Sequence, residues 1–293
     1  MSNESYVSIV LPTYNRANML RGSIKSCLNQ SYQNLELIVI DDGSTDETEK
    51  VVGEFIKLDS RVRYFKKKNE GLPVALNYGF EKAEGKFFTW TSDDNYFRED
   101  AIDIMIKQLR ENQKYKLVYC NYILIDEDDN KLDKVSRKDS SFITTEPTVG
   151  ACFLYDAGCA KIVGKYNPDW KLVEDAEFFV RFAKLFPCKL IDGVYPYFYR
   201  VHKESLGWSK FEKVQKIRYQ MFSHHSNSFS SRYGLFFKYN YDCAIWFYNR
   251  GKANVLSYLF KCIIMKPHKA ELWLLLIKVI VPKTVKNFFK NNK

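Results

Sequence analysis

The chain has 293 residues, of which 46% are hydrophobic and 16% aromatic, and its formal net charge is +10 at pH 7. So much apolar material can bury a full core, which excludes a disordered, collagen-like or short disulfide-stapled protein. The charge is uneven, because residues 206–293 hold 16 Lys or Arg against 3 Asp or Glu, which leaves a net of −3 for residues 1–205.

The first part of the chain alternates between short apolar runs and helical patterns. Residues 7–11 form a β-branched run typical of a buried strand, and Leu20, Ile24 and Leu28 then recur at helical spacing. A second apolar run at 35–40 completes a parallel strand–helix–strand unit. The alternation continues with predicted helices over 45–58, 72–82 and 100–109, and with predicted strands over 62–65, 87–91 and 117–124.

Polar segments follow three of these strands at their carboxyl ends, at 13–16, 41–44 and 92–95. In an open parallel sheet the ligand lies beyond the carboxyl ends of the strands, so we expect one site there. Adjacent carboxylates such as Asp93 and Asp94 repel each other, and Mg²⁺ or Mn²⁺ between them and a diphosphate relieves the repulsion. The alternative is that these acids serve only as turn and helix-start residues.

The middle of the chain changes character. The charged stretch 126–139 has a turn signal at Asp129-Asn130 and predicts a hairpin or an exposed loop. The pattern then predicts a strand over 150–155, a helix over 173–186 and strands within 189–201 that Gly193 and Pro196 interrupt. From Trp208 onward the pattern is helical throughout.

In their order along the chain, these segments resemble glycosyltransferase family 2, whose members transfer a sugar from a nucleotide diphosphate donor with inversion. The resemblance covers about residues 6–205 and rests on 7–16, 37–46, Asn69–Gly71 with Asn77, Thr91–Asn95, Val173–Asp175, and Tyr199–His202 with Ser205. It implies an α/β fold of the GT-A type with a mostly parallel central sheet. The nucleotide-binding half is expected at about 1–125, the acceptor-binding half at about 126–205, and a basic amphipathic helical tail at 206–293.

Carried over by position, the resemblance implies that Asp42 holds the nucleotide base. Asp94 is the preferred metal ligand and Asp93 points toward the ribose, but Thr91 departs from a common form of the motif, so the two aspartates can exchange these roles. His202 is either a further metal ligand or a structural histidine. The implied nucleotide pocket also contains Pro12, Tyr14, Arg16, Asn69 and Asn77.

The acidic motif Glu174-Asp175 makes Asp175 the general base in this resemblance, with Glu174 beside it. Inversion requires a carboxylate on the face of the sugar opposite the leaving nucleotide, within hydrogen-bond reach of the acceptor hydroxyl. Aromatic faces suit sugar rings. Tyr122 and Trp170 are therefore expected toward the acceptor. Arg200 is grouped with them, and its charge suits the diphosphate as well.

The function implied is inverting, metal-dependent transfer of a sugar to a hydroxyl group, with UDP as the expected nucleotide of the donor. The expected acceptor is a glycan or a lipid-linked molecule in bacterial surface polysaccharide synthesis. A nucleotidyltransferase is the enzymatic alternative, although it would be expected to have a Gly-rich basic loop after the first strand and residues 12–15 do not form one. An inactive relative that only binds a nucleotide sugar remains an alternative. Acids at the strand ends disfavour a nucleic-acid-binding protein, because they repel a phosphate backbone.

The tail carries apolar stripes within 256–264 and 273–280 with lysines between them, a pattern typical of helices that lie on anionic lipid. Packing on the body, dimerisation and plain solvated helix faces are the alternatives. No window reaches the roughly 18 to 20 apolar residues that cross a bilayer. Without a secretory pattern or a CxxC pair, the sequence predicts a cytoplasmic protein, at most peripheral on the inner membrane.

Overall fold

A computed structural model describes residues 5–202, 210–226, 229–251 and 254–280. The chain divides into two compact units, with the boundary between Ser209 and Lys210. The first unit alternates strands and helices, and the second is built from helices.

The helices of the first unit are α1 Ala17–Leu28, α2 Thr48–Leu58, α3 Leu72–Lys82, α4 Ala101–Glu111, α5 Ala157–Val163 and α6 Glu174–Leu185. Its strands are β1 Val7–Thr13, β2 Leu35–Asp41, β3 Val62–Lys66, β4 Phe87–Trp90, β5 Tyr96–Phe97, β6 Leu117–Cys120, β7 Tyr122–Ile125, β8 Lys131–Val135, β9 Phe153–Asp156, β10 Cys188–Ile191 and β11 Tyr197–Arg200. The predicted strand–helix alternation is confirmed, although α2 begins three residues later than predicted.

Seven strands form the main sheet in the order β10-β6-β9-β4-β1-β2-β3. All neighbours are parallel except β9, which runs antiparallel to both β4 and β6. In the central strands, Ile9 and Leu37 face one core, while Val10 and Ile38 face the core on the other side of the sheet. Both faces are buried, which explains why these strands are continuous apolar runs rather than alternating ones.

A second sheet of four strands has the order β5-β11-β7-β8. The continuous strand predicted over 117–124 is wrong, because the chain leaves the main sheet after β6 and joins the small sheet at β7. Asn121 lies at this break, fully buried, where it donates to Asp192 at 3.0 Å and accepts the main-chain N–H of Arg137 at 2.7 Å. The predicted hairpin is confirmed, since β7 and β8 pair antiparallel around the turn at 126–130.

The second unit contains α7 Phe211–His225, α8 Phe229–Asn249, α9 Val255–Met265 and α10 Ala270–Ile280. Its core includes Phe247 from α8, Leu259 and Cys262 from α9, and Leu272 from α10. The predicted helical extension is therefore confirmed for residues 210–226, 229–251 and 254–280, whereas Ser205 of the predicted motif and residues 281–293 of the predicted tail lie outside the described residues. Within the ranges that the structure describes, each helix is too short or too polar to span a bilayer.

Candidate active site

Hydrogen bonds that involve side chains join the loop after β1 to the loop after β2. Asn15, with a φ of 52°, donates its main-chain N–H to Ser44 Oγ at 2.9 Å, and its Oδ1 accepts the N–H of Thr45 at 2.8 Å. Asp46 accepts the N–H of Ala17 at 3.1 Å, at the start of α1. Because asparagine tolerates the left-handed backbone better than most residues, the sequence permits this turn and the two loops form one edge.

Asp41 shapes the turn after β2. Its two carboxylate oxygens accept the main-chain N–H of Ser44 and the hydroxyl of Tyr64, each at 2.6 Å, and the side chain is fully buried. Gly43 follows with a φ of +87°, and a Cβ there would lie 2.9 Å from the main-chain nitrogen of Asn69. Glycine is therefore required at this turn. Asn69 is exposed and lies against the turn.

Asp42 binds the loop that follows β3. Its carboxylate accepts Lys67 Nζ at 2.9 Å and the main-chain N–H groups of Glu70 at 3.1 Å and Gly71 at 2.8 Å. A carboxylate can accept about four hydrogen bonds, and these three contacts use three of them. About one therefore stays available to a nucleobase N–H. The base-binding role of Asp42 stays a prediction. Lys67 lies outside the predicted set, and its signal in the sequence is the run of three lysines at 66–68.

Asp93 lies beyond the end of β4, where its Oδ2 accepts the hydroxyl of Thr13 at 2.7 Å. Burial, and next the charge of Asp94, raises the pKa of Asp93 to about 7. Pro12 is buried in β1 and Tyr14 is exposed. The first strand's end and Asp93 thus lie together, as the predicted nucleotide pocket requires, while contact with a nucleotide stays a prediction.

Asp94, His202 and Arg16 meet at one point, although they come from three separate segments of the chain. Asp94 Oδ2 lies 3.0 Å from His202 Nε2, and Arg16 Nη1 lies 3.2 Å from each of these two atoms. His202 is buried, and Asp94 and Arg16 are partly exposed. Asp94 and His202, two of the three predicted metal ligands, are therefore adjacent, with a guanidinium against both.

The donor set of Asp94 and His202 suits a divalent cation such as Mn²⁺. Two ligands about 2.1 Å from one ion and at right angles are about 3 Å apart, which is the separation of Asp94 Oδ2 and His202 Nε2. In the portion of the chain that the structure describes, there is no group of three or more His, Cys, Asp or Glu side chains arranged for a metal. The pair fits two coordination positions, and diphosphate oxygens and water would supply the others.

Arg200 ties the end of β4 to the β7–β8 hairpin. Its guanidinium donates to the main-chain oxygens of Asp94 at 3.0 Å, Asp126 at 2.8 Å and Glu127 at 3.0 Å. The main-chain N–H of Arg200 donates to Asn95 Oδ1 at 2.7 Å. These bonds give Arg200 a structural function, and its contact with an acceptor stays a prediction.

The acidic motif begins α6. The preceding turn includes Leu172 with a φ of +83°, a strained conformation for a bulky residue and one that often marks functional sites. Asp175 is half-buried, and its Oδ1 accepts the N–H of Ala176 at 2.7 Å. Glu174 is buried, and its Oε2 has no hydrogen-bond partner among the residues that the structure describes. Burial, and next the charge of Asp175, raises the pKa of Glu174 to about 7.

Lys171 connects this motif to the loop that Asp42 holds. A Cβ placed on Gly71 would lie 3.0 Å from Lys171 Nζ, so the lysine approaches the main chain at Gly71 closely. The same glycine donates its N–H to Asp42. The segment before α6 therefore reaches the loop beyond β3, and Lys171 is a second cation outside the predicted set.

Tyr166 connects the acidic motif to the end of β4. Its hydroxyl accepts the indole N–H of Trp90 at 3.2 Å. Burial chiefly, and then the charges of Asp175 and Glu174, raises the pKa of Tyr166, so both acids lie within electrostatic range. Asn77 binds the main chain of Tyr166 through both carboxamide atoms, each at 2.8 Å, so its predicted contact with the nucleotide stays a prediction.

The two aromatic residues predicted toward the acceptor lie in different elements. Tyr122 begins β7, where its ring centroid is 5.8 Å from that of Tyr199 and 5.6 Å from the guanidinium carbon of Arg137. Trp170 ends a short 3₁₀ helix, Pro168–Trp170, four residues before α6, and it is half-buried. Both roles toward the acceptor stay predictions.

The fold and the acidic strand ends define an α/β protein of the GT-A type. The family model described as glycosyl transferase family 2 matches residues 8–162, which is more than half of the chain. The chain therefore belongs to glycosyltransferase family 2, as the motifs predict.

Two relatives illustrate the extent of the sequence similarity. An uncharacterized glycosyltransferase of Rickettsia typhi is 33% identical over 190 residues, which cover 61% of this chain and 59% of that protein. An uncharacterized glycosyltransferase of Haemophilus influenzae is 37% identical over 135 residues, which cover 46% of this chain and 54% of that protein. The chain thus spans less than two thirds of the length of either relative.

Solved structures show the same fold at lower sequence identity. Staphylococcus aureus TarS 1–349 in complex with UDP aligns with a TM-score of 0.60 at 16% identity, over 80% of this chain and 70% of that one. Mannosyltransferase PcManGT from Pyrobaculum calidifontis, in complex with GDP-Man and Mn²⁺, aligns with a TM-score of 0.60 at 15% identity, over 94% and 86%. At these identities the similarity establishes the GT-A fold alone.

Proposed function

We propose that this family 2 enzyme is an inverting, metal-dependent transferase that moves a sugar from a nucleotide diphosphate donor to a hydroxyl group. The observation that carries the proposal is the contact between Asp94 and His202 at the carboxyl edge of the sheet, beside the buried Asp93. Carboxylates and an imidazole at this edge suit a complex of a divalent cation with a diphosphate. Family membership supports sugar transfer as the reaction.

The proposed donor is linked to UDP. TarS has been crystallised with UDP and with UDP-GlcNAc, and PcManGT with GDP-Man and Mn²⁺. The carboxylate of Asp42 can accept about one more hydrogen bond. This suits a nucleobase that donates a ring N–H, as uracil and guanine do. Pro12 and Tyr14 would border the base, and Asp93 would face the ribose.

Asp94 and His202 would hold the cation, Mn²⁺ or Mg²⁺. When bound, the ion neutralises the negative charge that develops on the leaving diphosphate. Arg16 contacts both residues, so its guanidinium would lie within reach of the same diphosphate.

Asp175 is the proposed general base. The acceptor oxygen forms a bond to the anomeric carbon while the bond from that carbon to the diphosphate oxygen breaks, and the acceptor's proton passes to the Asp175 carboxylate. Proton transfer to a positioned base contributes roughly 10²- to 10⁴-fold in rate. The main-chain N–H of Ala176 fixes one oxygen of Asp175. Glu174 lies beside it and supplies a second carboxyl group. Because this group is buried, its ionised form is disfavoured and its pKa is raised.

The proposed acceptor is a glycan or a lipid-linked glycan in bacterial surface polysaccharide synthesis. Its support is the aromatic side chains of Tyr122 and Trp170 and the composition of the second unit. Helices α9 and α10 expose apolar side chains next to lysines, which suits an anionic membrane surface. The enzyme would then act on the cytoplasmic face of the inner membrane.

A panel of UDP-, GDP- and dTDP-sugars, with and without Mn²⁺, tests the proposal by thermal shift and donor hydrolysis. We expect one nucleotide class to raise the melting temperature, and to raise it further with Mn²⁺. Asp94→Asn should lose the Mn²⁺-dependent increment, while Asp103→Asn, at an exposed position of α4, should keep it. A shift without any turnover would favour an inactive nucleotide-sugar binder, and no shift with any donor would refute the proposal.

A further inference from the structure

Arg16 presents its guanidinium to the two atoms that the proposed function assigns to the metal. The three distances are 3.0 Å between Asp94 Oδ2 and His202 Nε2, and 3.2 Å from Arg16 Nη1 to each. We propose that Arg16 is an internal cation that occupies this ligand pair in the donor-free enzyme and moves onto the diphosphate when metal and donor bind together. The inference rests on the proposed function. It adds that Arg16 occupies the ligand pair first and that metal and donor then replace it together.

The contact geometry makes Arg16 and a metal compete at His202. Each ring nitrogen of a neutral imidazole either carries a hydrogen or offers one lone pair. If Nε2 offers its lone pair, the N–H of Arg16 takes it, and if Nε2 carries a hydrogen, that hydrogen points to Asp94. In the first case a metal can bind Nε2 only after the contact with Arg16 is broken, because arginine stays charged and keeps donating. In the second case it can bind only after the hydrogen bond from Nε2 to Asp94 is broken.

The charges at the site disfavour binding of a divalent cation alone and favour its binding together with a diphosphate. Asp93 and Asp94 stand next to each other, and the positive charge of Arg16 lies against this acidic pair, with Nη1 at 3.2 Å from Asp94 Oδ2. A divalent cation alone would add two positive charges beside a guanidinium, which repels it. A cation that arrives with a diphosphate adds about as much negative as positive charge, and the diphosphate oxygens give the guanidinium a new partner.

The main chain at Arg16 is anchored, so the movement involves the side chain alone. Its carbonyl oxygen accepts the N–H groups of Met19 and Leu20, each at 3.1 Å, at the start of α1. The side chain is 24% exposed, whereas that of His202 is 3% exposed. The long arginine side chain can thus reorient toward solvent and diphosphate while the two ligands stay in place. The consequence is that donor and metal each raise the other's affinity.

Direct measurement of Mn²⁺ binding, by electron paramagnetic resonance and calorimetry, tests this inference without assaying transfer. The proteins are the full-length wild type, Arg16→Gln, Arg16→Lys and Asp94→Asn, each alone and with UDP or GDP. We expect Arg16→Gln to bind Mn²⁺ alone about ten-fold more tightly than wild type, within the usual range of coupling between two sites. Arg16→Lys should stay close to wild type, and Asp94→Asn should lose Mn²⁺ binding.

The nucleotide supplies the second readout. We expect UDP or GDP to raise the Mn²⁺ affinity of wild type by a larger factor than that of Arg16→Gln. Equal Mn²⁺ affinities of wild type and Arg16→Gln, with Asp94→Asn still deficient, would overturn the role of Arg16 and leave the proposed function standing. Absence of Mn²⁺ binding in every variant, with and without nucleotide, would overturn both. Far-ultraviolet circular dichroism establishes that each variant is folded.

Discussion

The carboxamide of Asn77 makes two hydrogen bonds with the main chain of Tyr166, donating to its oxygen and accepting from its nitrogen, each at 2.8 Å. The hydroxyl of Tyr166 in turn accepts the indole N–H of Trp90 at the end of β4. Asn77 thus joins α3 to the segment before the acidic motif. These bonds give Asn77 a structural role, and its predicted contact with the nucleotide stays a prediction.

Asn77→Ala should lower the free energy of unfolding by about 1–3 kcal/mol, because it leaves two buried main-chain groups of Tyr166 without partners. Urea denaturation measures this change. Asn29→Ala, at an exposed position just after α1, is the matched control and should be nearly neutral. If Asn77→Ala instead keeps its stability and weakens UDP binding, the predicted nucleotide contact is the correct role.

Asp175→Asn should lower kcat by roughly 10²- to 10⁴-fold, because the amide keeps the shape of the side chain but cannot accept the proton. Donor binding, measured by thermal shift with a nucleotide sugar and Mn²⁺, should stay within about two-fold of wild type, since the proposed base faces the acceptor. Asp169→Asn, at an exposed acid in the preceding 3₁₀ helix, should keep full activity. Unchanged turnover in Asp175→Asn would remove this residue from the mechanism.

The sequence predicts the features that depend on near neighbours. The strand ends that carry Asp42 and Asp94 could be located because apolar runs and the polar residues after them are local signals. Contacts across space could not be located in this way. Arg16 and His202 are 186 residues apart, and no periodicity records that the Arg16 guanidinium contacts both His202 and Asp94.

The same limit applies to the sheets. The run at 117–124 reads as one strand because seven of its eight residues are apolar or aromatic and only Asn121 interrupts them. The break depends on the partners of the buried Asn121, which are the main chain of Arg137 and the side chain of Asp192. The antiparallel direction of β9 is likewise a property of its neighbours β4 and β6 and not of its own composition.

Glu174 should make stability depend on pH. Its pKa lies near 7 in the folded protein against an ordinary value of 4.5, so folding favours the protonated form. The associated stability is fully present below about pH 4.5 and is lost as the pH rises through 7, by up to about 3 kcal/mol. Glu174→Gln cannot ionise, so its stability relative to wild type should increase between pH 5 and pH 8.

The measurement is the midpoint of urea unfolding of both proteins at the two pH values. Glu177→Gln is the control in the same helix turn, because Glu177 is buried but binds Arg181 through two bonds of 2.8 Å. This control should be less stable than wild type at both pH values. A difference between Glu174→Gln and wild type that does not change with pH would contradict the prediction.

Gly79 allows α3 to approach the centre of the main sheet. A Cβ there would lie 2.5 Å from Val10 Cγ1 and 3.0 Å from Ile40 Cγ1. Gly79→Ala should therefore destabilise the fold by about 1–3 kcal/mol. Gly53→Ala in α2, where a Cβ meets no atom within 4 Å, should stabilise it by about 0.5–1 kcal/mol. Urea denaturation measures the free energy of unfolding of both variants. If both substitutions change it in the same direction, this account of the packing is contradicted.

Helix α10 should bind anionic lipid through the side that its own unit leaves uncovered. Trp273, Ile277 and Ile280 are 46%, 55% and 58% exposed and recur at helical spacing, while Leu272 and Leu275 are buried in the core of the unit. Full burial of one such side chain contributes about 1.5–3 kcal/mol, so partial burial of two can change lipid affinity by about ten-fold. We therefore expect Trp273→Ser combined with Ile277→Ser to weaken binding to phosphatidylglycerol vesicles about ten-fold.

Co-sedimentation with vesicles at low and high salt measures this binding. Wild type should prefer phosphatidylglycerol to phosphatidylcholine and should bind less at high salt, because the lysines of this unit contribute through charge. Ile162→Ser replaces an isoleucine of α5 that is 70% exposed and should leave binding unchanged. If wild type binds neither vesicle at either salt concentration, or if the double variant only converts a dimer to a monomer, the exposed side of α10 serves protein association and not lipid.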